Sequence, residues 1–348
     1  MKAESDAGQT PALRLPKRKA VSASQQDWVR EEFLTTGDSA VPVLRPAVRG
    51  VDLVAWAARH RDEMAGRLKA HGSLLFRGFD VPDTSAFQQF IVATSHELME
   101  YRDRTSPRSP VSEHVYTSTN HPADQSILLH NENSYSAEWP AKIYFHCVTP
   151  ASEGGSTPLA DCRRVLRRIS REVLDTFERK QVMYVRNFGS GFGLPWQTTF
   201  QTDEPGEVEQ FCRGAGIEFE WLGGDRLRTR QVRPAVATHP QTGEAVWFNQ
   251  ANLFHVGSLP PQERTMLLAE FAEEDLPSQS YFGDGSPIGA DMLDEINDAY
   301  RRERFSFPWH AGDILLLDNM LTAHGREPFR GERKVVVGMA DPTGWPLA

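Results

Sequence analysis

The chain has 348 residues, 39% of them hydrophobic and 24% charged, with a formal net charge of −9. This composition supports a packed core, and its acidity argues against a nucleic-acid binder, which carries a basic footprint. No run approaches the roughly 18 consecutive apolar residues of a membrane span. Met1 to Gln26 is polar and carries Lys17-Arg18-Lys19, without the apolar centre of a signal peptide. The expectation is a cytoplasmic protein with a flexible tail over residues 1–40 and one domain over 41–348. Cys147, Cys162 and Cys212 are odd in number and form no C-x-x-C pair, so buried free thiols are expected rather than a disulfide framework.

In chain order, Val51 to Ala70 reads as one amphipathic helix, with Leu53, Ala57, Met64 and Leu68 on one stripe and His71-Gly72 at its end. Ser73 to Phe76 is a short buried strand, followed by a turn at Arg77-Gly78. Thr84 to Thr94 is a second helix with Asp83 as its N-cap. Short strands follow at Ser126 to His130 and Ile143 to Val148, with a turn at Glu153-Gly154-Gly155. Asp161 to Lys180 is helical and crowded with Arg163, Arg164, Arg167, Arg168 and Arg171. Those arginines form either a surface that steers an acidic carrier protein or a solvated face beside Glu172.

Gly189 to Trp196, with three glycines around Phe192, is either an active-site lid or a surface loop. Strands resume at Leu227 to Val232 and Val246 to Asn249, and helices at Pro261 to Glu274 and Asp291 to Glu303. After the turn Ala311-Gly312-Asp313 come the apolar strand Ile314 to Leu317 and the β-branched strand Lys334 to Met339. Many short strands with a few outer helices predict a mainly β fold, a double-layer jelly roll decorated with helices.

His130 and Glu132 stand two residues apart at the end of a predicted strand, where alternate side chains share a face. His324, after the strand Ile314 to Leu317, is the candidate third ligand. Two histidines and a carboxylate make the facial triad of non-haem Fe(II) oxygenases, which leaves three metal positions for a 2-oxoacid and dioxygen. The pair alone is weak, because chance supplies about 1.5 H-x-[DE] pairs at this composition. The other one, His60-Arg-Asp62, lies in a predicted helix, where i and i+2 do not share a face. Arg333, nine residues after His324, offers the planar charged fork suited to a distal carboxylate of 2-oxoglutarate, or is a surface arginine in the charged run Gly331 to Lys334. A metabolite-sensing jelly roll without catalysis and a zinc hydrolase remain as rival readings.

Several ordered motifs then carry a resemblance from about Val51 to Pro342. They are His130-Asn-Glu-Asn-Ser-Tyr135, Gly154-Gly-Ser-Thr157-Pro-Leu-Ala-Asp161, His239-Pro-Gln-Thr-Gly243, Val246-Trp-Phe-Asn-Gln250, Gly312-Asp through Asp318-Asn319, and His324-Gly-Arg-Glu-Pro-Phe329 through Arg333-Lys334. With them the chain resembles the TauD/TfdA family of Fe(II)/2-oxoglutarate oxygenases, most closely its SyrP-like branch. The resemblance implies a double-stranded β-helix with His130, Glu132 and His324 as iron ligands. It also implies that Arg333 and Thr157 bind 2-oxoglutarate, with Fe(II), 2-oxoglutarate and O2 as the reaction's requirements.

The implied reaction hydroxylates an unactivated C–H of an amino acid or amino-acid-derived natural-product intermediate, free or carrier-tethered, and releases succinate and CO2. Desaturation or cyclisation by the same cofactor chemistry is the alternative. The expected partners are a small-molecule substrate and, if tethered, a carrier protein. Two features narrow the range. Glu132 supplies the carboxylate that related halogenases lack. Val337 stands where taurine dioxygenase clamps a sulfonate with arginine, which argues against a sulfonate substrate. Asn249 and Arg326 are further candidates for contact with substrate. Their structural alternatives are a satisfied strand-end amide for Asn249 and pairing with Glu327 or Asp318 for Arg326.

Overall fold

The apolar run at the centre of the computed structural model is buried on both faces, and the fold is arranged around it. The structure describes residues 28–99, 110–112, 115–117 and 121–345. In the strand Ile314–Asp318, Ile314 and Leu316 pack with Leu74, Phe76, Phe87 and Tyr144. Leu315 and Leu317 point the other way, into a cluster with Leu75, Phe145, Val335 and Val337. A strand covered on both sides needs no polar alternation, which is why the run reads as uniformly apolar.

This strand pairs antiparallel with Ser73–Phe76 on one side and Glu138–Thr149 on the other. The sheet extends through Ser39–Pro46 to Val29–Thr36 at one end. At the other it continues through Lys334–Gly344 and Val115–Thr117 to Pro110–Ser112, giving eight strands. A smaller sheet of Ile127–His130, Thr322–Arg326 and Leu159–Asp161 packs over its inner face, with Leu159 in the shared cluster and Phe145 edge-on to His324. The two sheets form the expected jelly roll, open rather than closed into a barrel. A further four-stranded sheet contains Val182–Phe188 and Arg226–Arg233 at its centre.

Helices cover the outer face of the large sheet, and the sequence locates them with two breaks it does not signal. The expected helix over 51–70 is two, Leu53–Arg59 and Arg61–His71. They part at His60, whose ring stacks on Trp56 at 4.6 Å and whose Nδ1 donates to the Trp56 carbonyl at 2.8 Å. Gly72 ends the second in the left-handed region, φ 72°. A Cβ there would lie 2.3 Å from Thr322 Oγ1, so only glycine fits. Thr84–Thr94 begins where expected, with Asp83 accepting from Ala86 N at 2.9 Å.

The expected helix over 161–180 is also two, Cys162–Arg168 and Arg171–Lys180, because Ile169 is extended and Ser170 caps the second. The expected helix over 261–274 stops at Glu270, and a short 3-10 turn covers Glu273–Asp275. A buried ion pair, Arg77 Nη2 to Asp313 Oδ2 at 2.6 Å, ties the turns beside the two central strands.

The tail boundary at residue 40 is corrected. Residues 28–40 include the strand Val29–Thr36 and the start of Ser39–Pro46, an antiparallel hairpin completing the large sheet. Residues 1–27 lie outside the described residues. The strand escapes a sequence reading because it lies at the sheet edge, polar and largely exposed. All three cysteines are free and buried as expected, and burial pushes the Cys147 and Cys162 thiols up to about 12. No described helix is long and apolar enough to cross a membrane.

Candidate active site

Strand register brings the two histidines together. The strands Ile127–His130 and Thr322–Arg326 run antiparallel with His324 directly opposite His130, and the ring centroids are 4.6 Å apart. Gly325 permits this approach, since a Cβ there would lie 2.5 Å from the Ile127 carbonyl oxygen. His130 Nδ1 donates to the Leu128 carbonyl at 2.7 Å, so Nε2 is the ring nitrogen that could hold a metal ion. Glu132 Oε2 lies 3.9 Å from His324 Nε2, and one ligand atom from each of the three residues falls within a 4.8 Å group. Two imidazoles and a buried carboxylate are a donor set suited to Fe(II).

The expected strand alternation does not place Glu132. The strand ends at His130, and Glu132 lies in the turn that follows, next to Asn133 with φ 55°. What fixes it is Asn319, which the matched motif contained but to which no role was assigned. Its Oδ1 accepts from Glu132 N at 2.8 Å, and its Nδ2 donates to the carbonyls of Glu132 and Pro140, both at 2.9 Å. Asn319 is fully buried. Its partners lie 187 and 179 positions earlier, so no local pattern could reveal the clamp. Asn319→Ala strands three backbone groups. It is expected to cost about 1–3 kcal/mol in urea unfolding and to weaken metal binding about 10- to 100-fold in a competition titration. Unchanged metal affinity would show that the turn holds Glu132 without the amide.

The triad opens into a cavity of about 740 Å³ that is also lined by Thr157, Arg326 and Arg333. Arg333 Nε donates to the Gly155 carbonyl at 2.9 Å, and its guanidinium lies 5.5 Å from the Phe329 ring centroid. Burial, then the neighbouring Arg326 charge, hold its pKa below the ordinary arginine value. Among the described residues no carboxylate pairs with it, so an anion entering the cavity would relieve that cost. Gly155, at φ 71°, leaves room for this side chain. A Cβ there would stand 3.0 Å from Arg333 Cδ. Thr157 Oγ1 accepts from Trp309 Nε1 at 3.1 Å, which frees its own hydroxyl hydrogen to donate to a ligand.

The structure separates the remaining candidates. Arg326 lines the cavity but pairs with neither Glu327 nor Asp318, which bind Arg304 and His239 respectively. It donates instead to the carbonyls of His121 at 2.8 Å, Gln125 at 2.6 Å and Pro122, and so supports the loop that walls the cavity. Asn249 is the satisfied amide: Nδ2 donates to the Ala235 carbonyl and Oδ1 accepts from Ala251 N, both at 2.9 Å, and it does not line the cavity. Phe192, Gly193 and Leu194 of the glycine-rich segment do line it.

The arginine-rich helices are largely self-neutralised. Arg163 binds Asp161 and Glu244, Arg164 and Arg168 share Glu303, and Arg171 pairs with Asp175. The proposed carrier-steering surface loses most of its charge in this way. Arg186, Phe145, Phe188 and Phe254 also line the cavity. None was singled out from sequence, because nothing local distinguishes a strand residue that faces a cavity from one that faces the core.

Comparison with known proteins agrees with this geometry. The model of the family described as "Taurine catabolism dioxygenase TauD, TfdA family" matches residues 38–339. The chain is 41% identical over 275 residues to the dapdiamide synthesis protein DdaC of Enterobacter agglomerans, covering 79% of this chain and 84% of that one. It is 29% identical over 283 residues to a clavaminate synthase-like protein of Arabidopsis thaliana, covering 78% and 82%.

Among solved structures, PvcB of Pseudomonas aeruginosa superimposes with a TM-score of 0.54 at 18% identity, over 92% of this chain and 94% of that one. The protein AAD-2, solved with Mn(II) and N-oxalylglycine, gives 0.52 at 14% identity, over 89% and 97%. These structural likenesses establish the fold. From its family match across most of its length, the chain belongs to the TauD/TfdA family, dioxygenases that use Fe(II), 2-oxoglutarate and dioxygen.

Proposed function

We propose that this dioxygenase hydroxylates an unactivated C–H of an amino acid or amino-acid-derived intermediate in a natural-product pathway. The observation that carries the reading is the sharing of one cavity by His130, Glu132, His324, Thr157 and Arg333. The two histidines and the carboxylate would hold Fe(II) where the cavity begins. Arg333 grips the distal carboxylate of 2-oxoglutarate, and the Thr157 hydroxyl orients it. Bound iron and 2-oxoglutarate supply the oxidising power, with succinate and CO2 as co-products.

The chain's own part is placement and exclusion of water. Asn319 sets the carboxylate ligand, while Phe145, Phe188 and Phe254 form an apolar wall over the substrate. The 41% identity to a protein named for dapdiamide synthesis supports a biosynthetic setting. The ion pairs that occupy the arginine-rich helices favour a free substrate over a carrier-tethered one.

Enzyme reconstituted anaerobically with Fe(II) and 2-oxoglutarate, then exposed to air with amino acids and their derivatives, tests the proposal. Each compound is offered free and loaded on a carrier domain, with succinate measured in parallel. The expected result is iron-dependent succinate together with a free compound heavier by one oxygen atom. Loss of two hydrogens in place of that gain would overturn hydroxylation in favour of desaturation or cyclisation.

A further inference from the structure

The motif His239-Pro-Gln-Thr-Gly243 carried part of the resemblance, and the roles above leave it unused. It forms the loop of an antiparallel hairpin between Val236–Thr238 and Ala245–Trp247, outside both jelly-roll sheets, and His239 does not line the cavity. The residue is nevertheless buried, and its ring is held on both nitrogens. Nδ1 accepts from Thr242 N at 3.1 Å, which puts the ring hydrogen on Nε2. Nε2 donates to Asp318 Oδ2 at 3.1 Å. The loop itself is anchored. His239 N donates to the Glu244 carbonyl at 2.8 Å, and the Glu244 carboxylate binds Arg163 at 3.1 Å. Ala237, Val246 and Trp247 of the hairpin share one apolar cluster with Met320 and Leu321.

Asp318 links this ring to the triad. Its Oδ1 accepts from Met320 N at 3.0 Å and Leu321 N at 3.1 Å, so its carboxylate closes the turn that carries Asn319. Backbone bonds hold Asp318 N to the Gly72 carbonyl and Asn319 N to the Ala141 carbonyl. The His239 ring fixes what those bonds leave free, the rotation of the carboxylate. Asn319 then meets the triad segment at three points. Its carbonyl accepts from Asn131 Nδ2 at 2.5 Å, and its side chain binds both backbone groups of Glu132. Buried hydrogen bonds of this kind act as a network, so loosening one member moves the others. Resting on the reading of His130, Glu132 and His324 as metal ligands, we propose that His239 is a positioning residue for Glu132. It acts through Asp318 and Asn319 without itself entering the cavity.

Mn(II) alone is the probe, added anaerobically to the full chain. Competition with a chelating dye reads affinity, and the EPR spectrum of the bound ion reads its surroundings. His239→Ala is expected to weaken Mn(II) binding about 10-fold, the lower end for groups that orient ligands, and to change the EPR line shape. His239→Gln keeps an N–H donor at the reach of Nε2, and should return affinity to within about threefold together with the line shape. In an Asn319→Ala background, His239→Ala should cost no more than about twofold further, because the route to Glu132 is already cut.

Unchanged Mn(II) affinity in His239→Ala overturns the proposal. An equal loss in both backgrounds does so too, since the ring would then support the fold and not the carboxylate. A loss that glutamine fails to restore also overturns it. Should His239→Ala fail to fold, Asp318→Asn takes its place. Its weaker acceptor should lower affinity in the wild-type background and not in Asn319→Ala, and equal losses in both overturn the proposal. Wild type whose Mn(II) affinity survives Glu132→Ala fails the metal-site reading itself, and the role of His239 falls with it. A metal site that needs Glu132 but ignores His239 fails only the role of His239.

Discussion

Glu132→Ala is expected to lower turnover by more than about 1000-fold while leaving the metal-free protein as stable as the wild type. The carboxylate is 3% exposed and lies 3.9 Å from His324 Nε2, where without metal it is a buried charge beside two imidazoles. Alanine keeps the backbone N–H and carbonyl that Asn319 holds, so the turn itself should survive the change. Changing groups that merely orient a metal's ligands costs about 10- to 100-fold, so losing a ligand outright should cost more. Urea unfolding with and without added Mn(II) separates ligand loss from damage to the fold. Wild type should gain about 2.7 kcal/mol when the metal stands at a hundred times its Kd, and Glu132→Ala should gain almost nothing at the same concentration. A variant that keeps the metal-dependent gain would remove Glu132 from the ligand set. His324→Ala should behave alike in metal binding, with some added instability because that ring packs edge-on against Phe145 at 5.1 Å.

Arg333→Gln should raise the KM for 2-oxoglutarate by about 30-fold to several thousandfold, the range for truncating one partner of a buried charge pair at about 2–5 kcal/mol. The turnover number at saturating cosubstrate should change far less, since the guanidinium does not touch the reacting carbon. Arg333→Lys keeps the charge but loses the planar fork, and an intermediate rise is expected. The variant should also be at least as stable as wild type in the absence of 2-oxoglutarate. Burial and the Arg326 charge both disfavour the Arg333 cation in the free enzyme, and glutamine relieves both. Steady-state kinetics and urea unfolding without cosubstrate check the two halves. An unchanged KM would detach Arg333 from 2-oxoglutarate.

Features governed by a few neighbouring residues were legible from the sequence. Asp83 caps its helix and Gly72 ends another because each acts on backbone groups within one turn. The run Ile314–Asp318 announced a strand covered on both faces. The histidine-carboxylate pair, Thr157 and Arg333 stood out through ordered motifs, and the fold places all of them around one cavity.

Tertiary structure decided what depends on a partner far along the chain. The facing register of His130 and His324 comes from two strands nearly two hundred residues apart, and Asn319 finds Glu132 across a similar span. The five arginines between 163 and 171 looked like one charged face. Which of them is neutralised depends on acids as distant as Glu244 and Glu303. Asn249 and Arg186 both lie in or beside strands, yet only folding turns one toward backbone groups and the other toward the cavity. Capping and alternation are local and recur wherever their residues do. A buried polar group takes whichever partner the packed chain brings within reach, and the sequence alone determines that only through the whole fold.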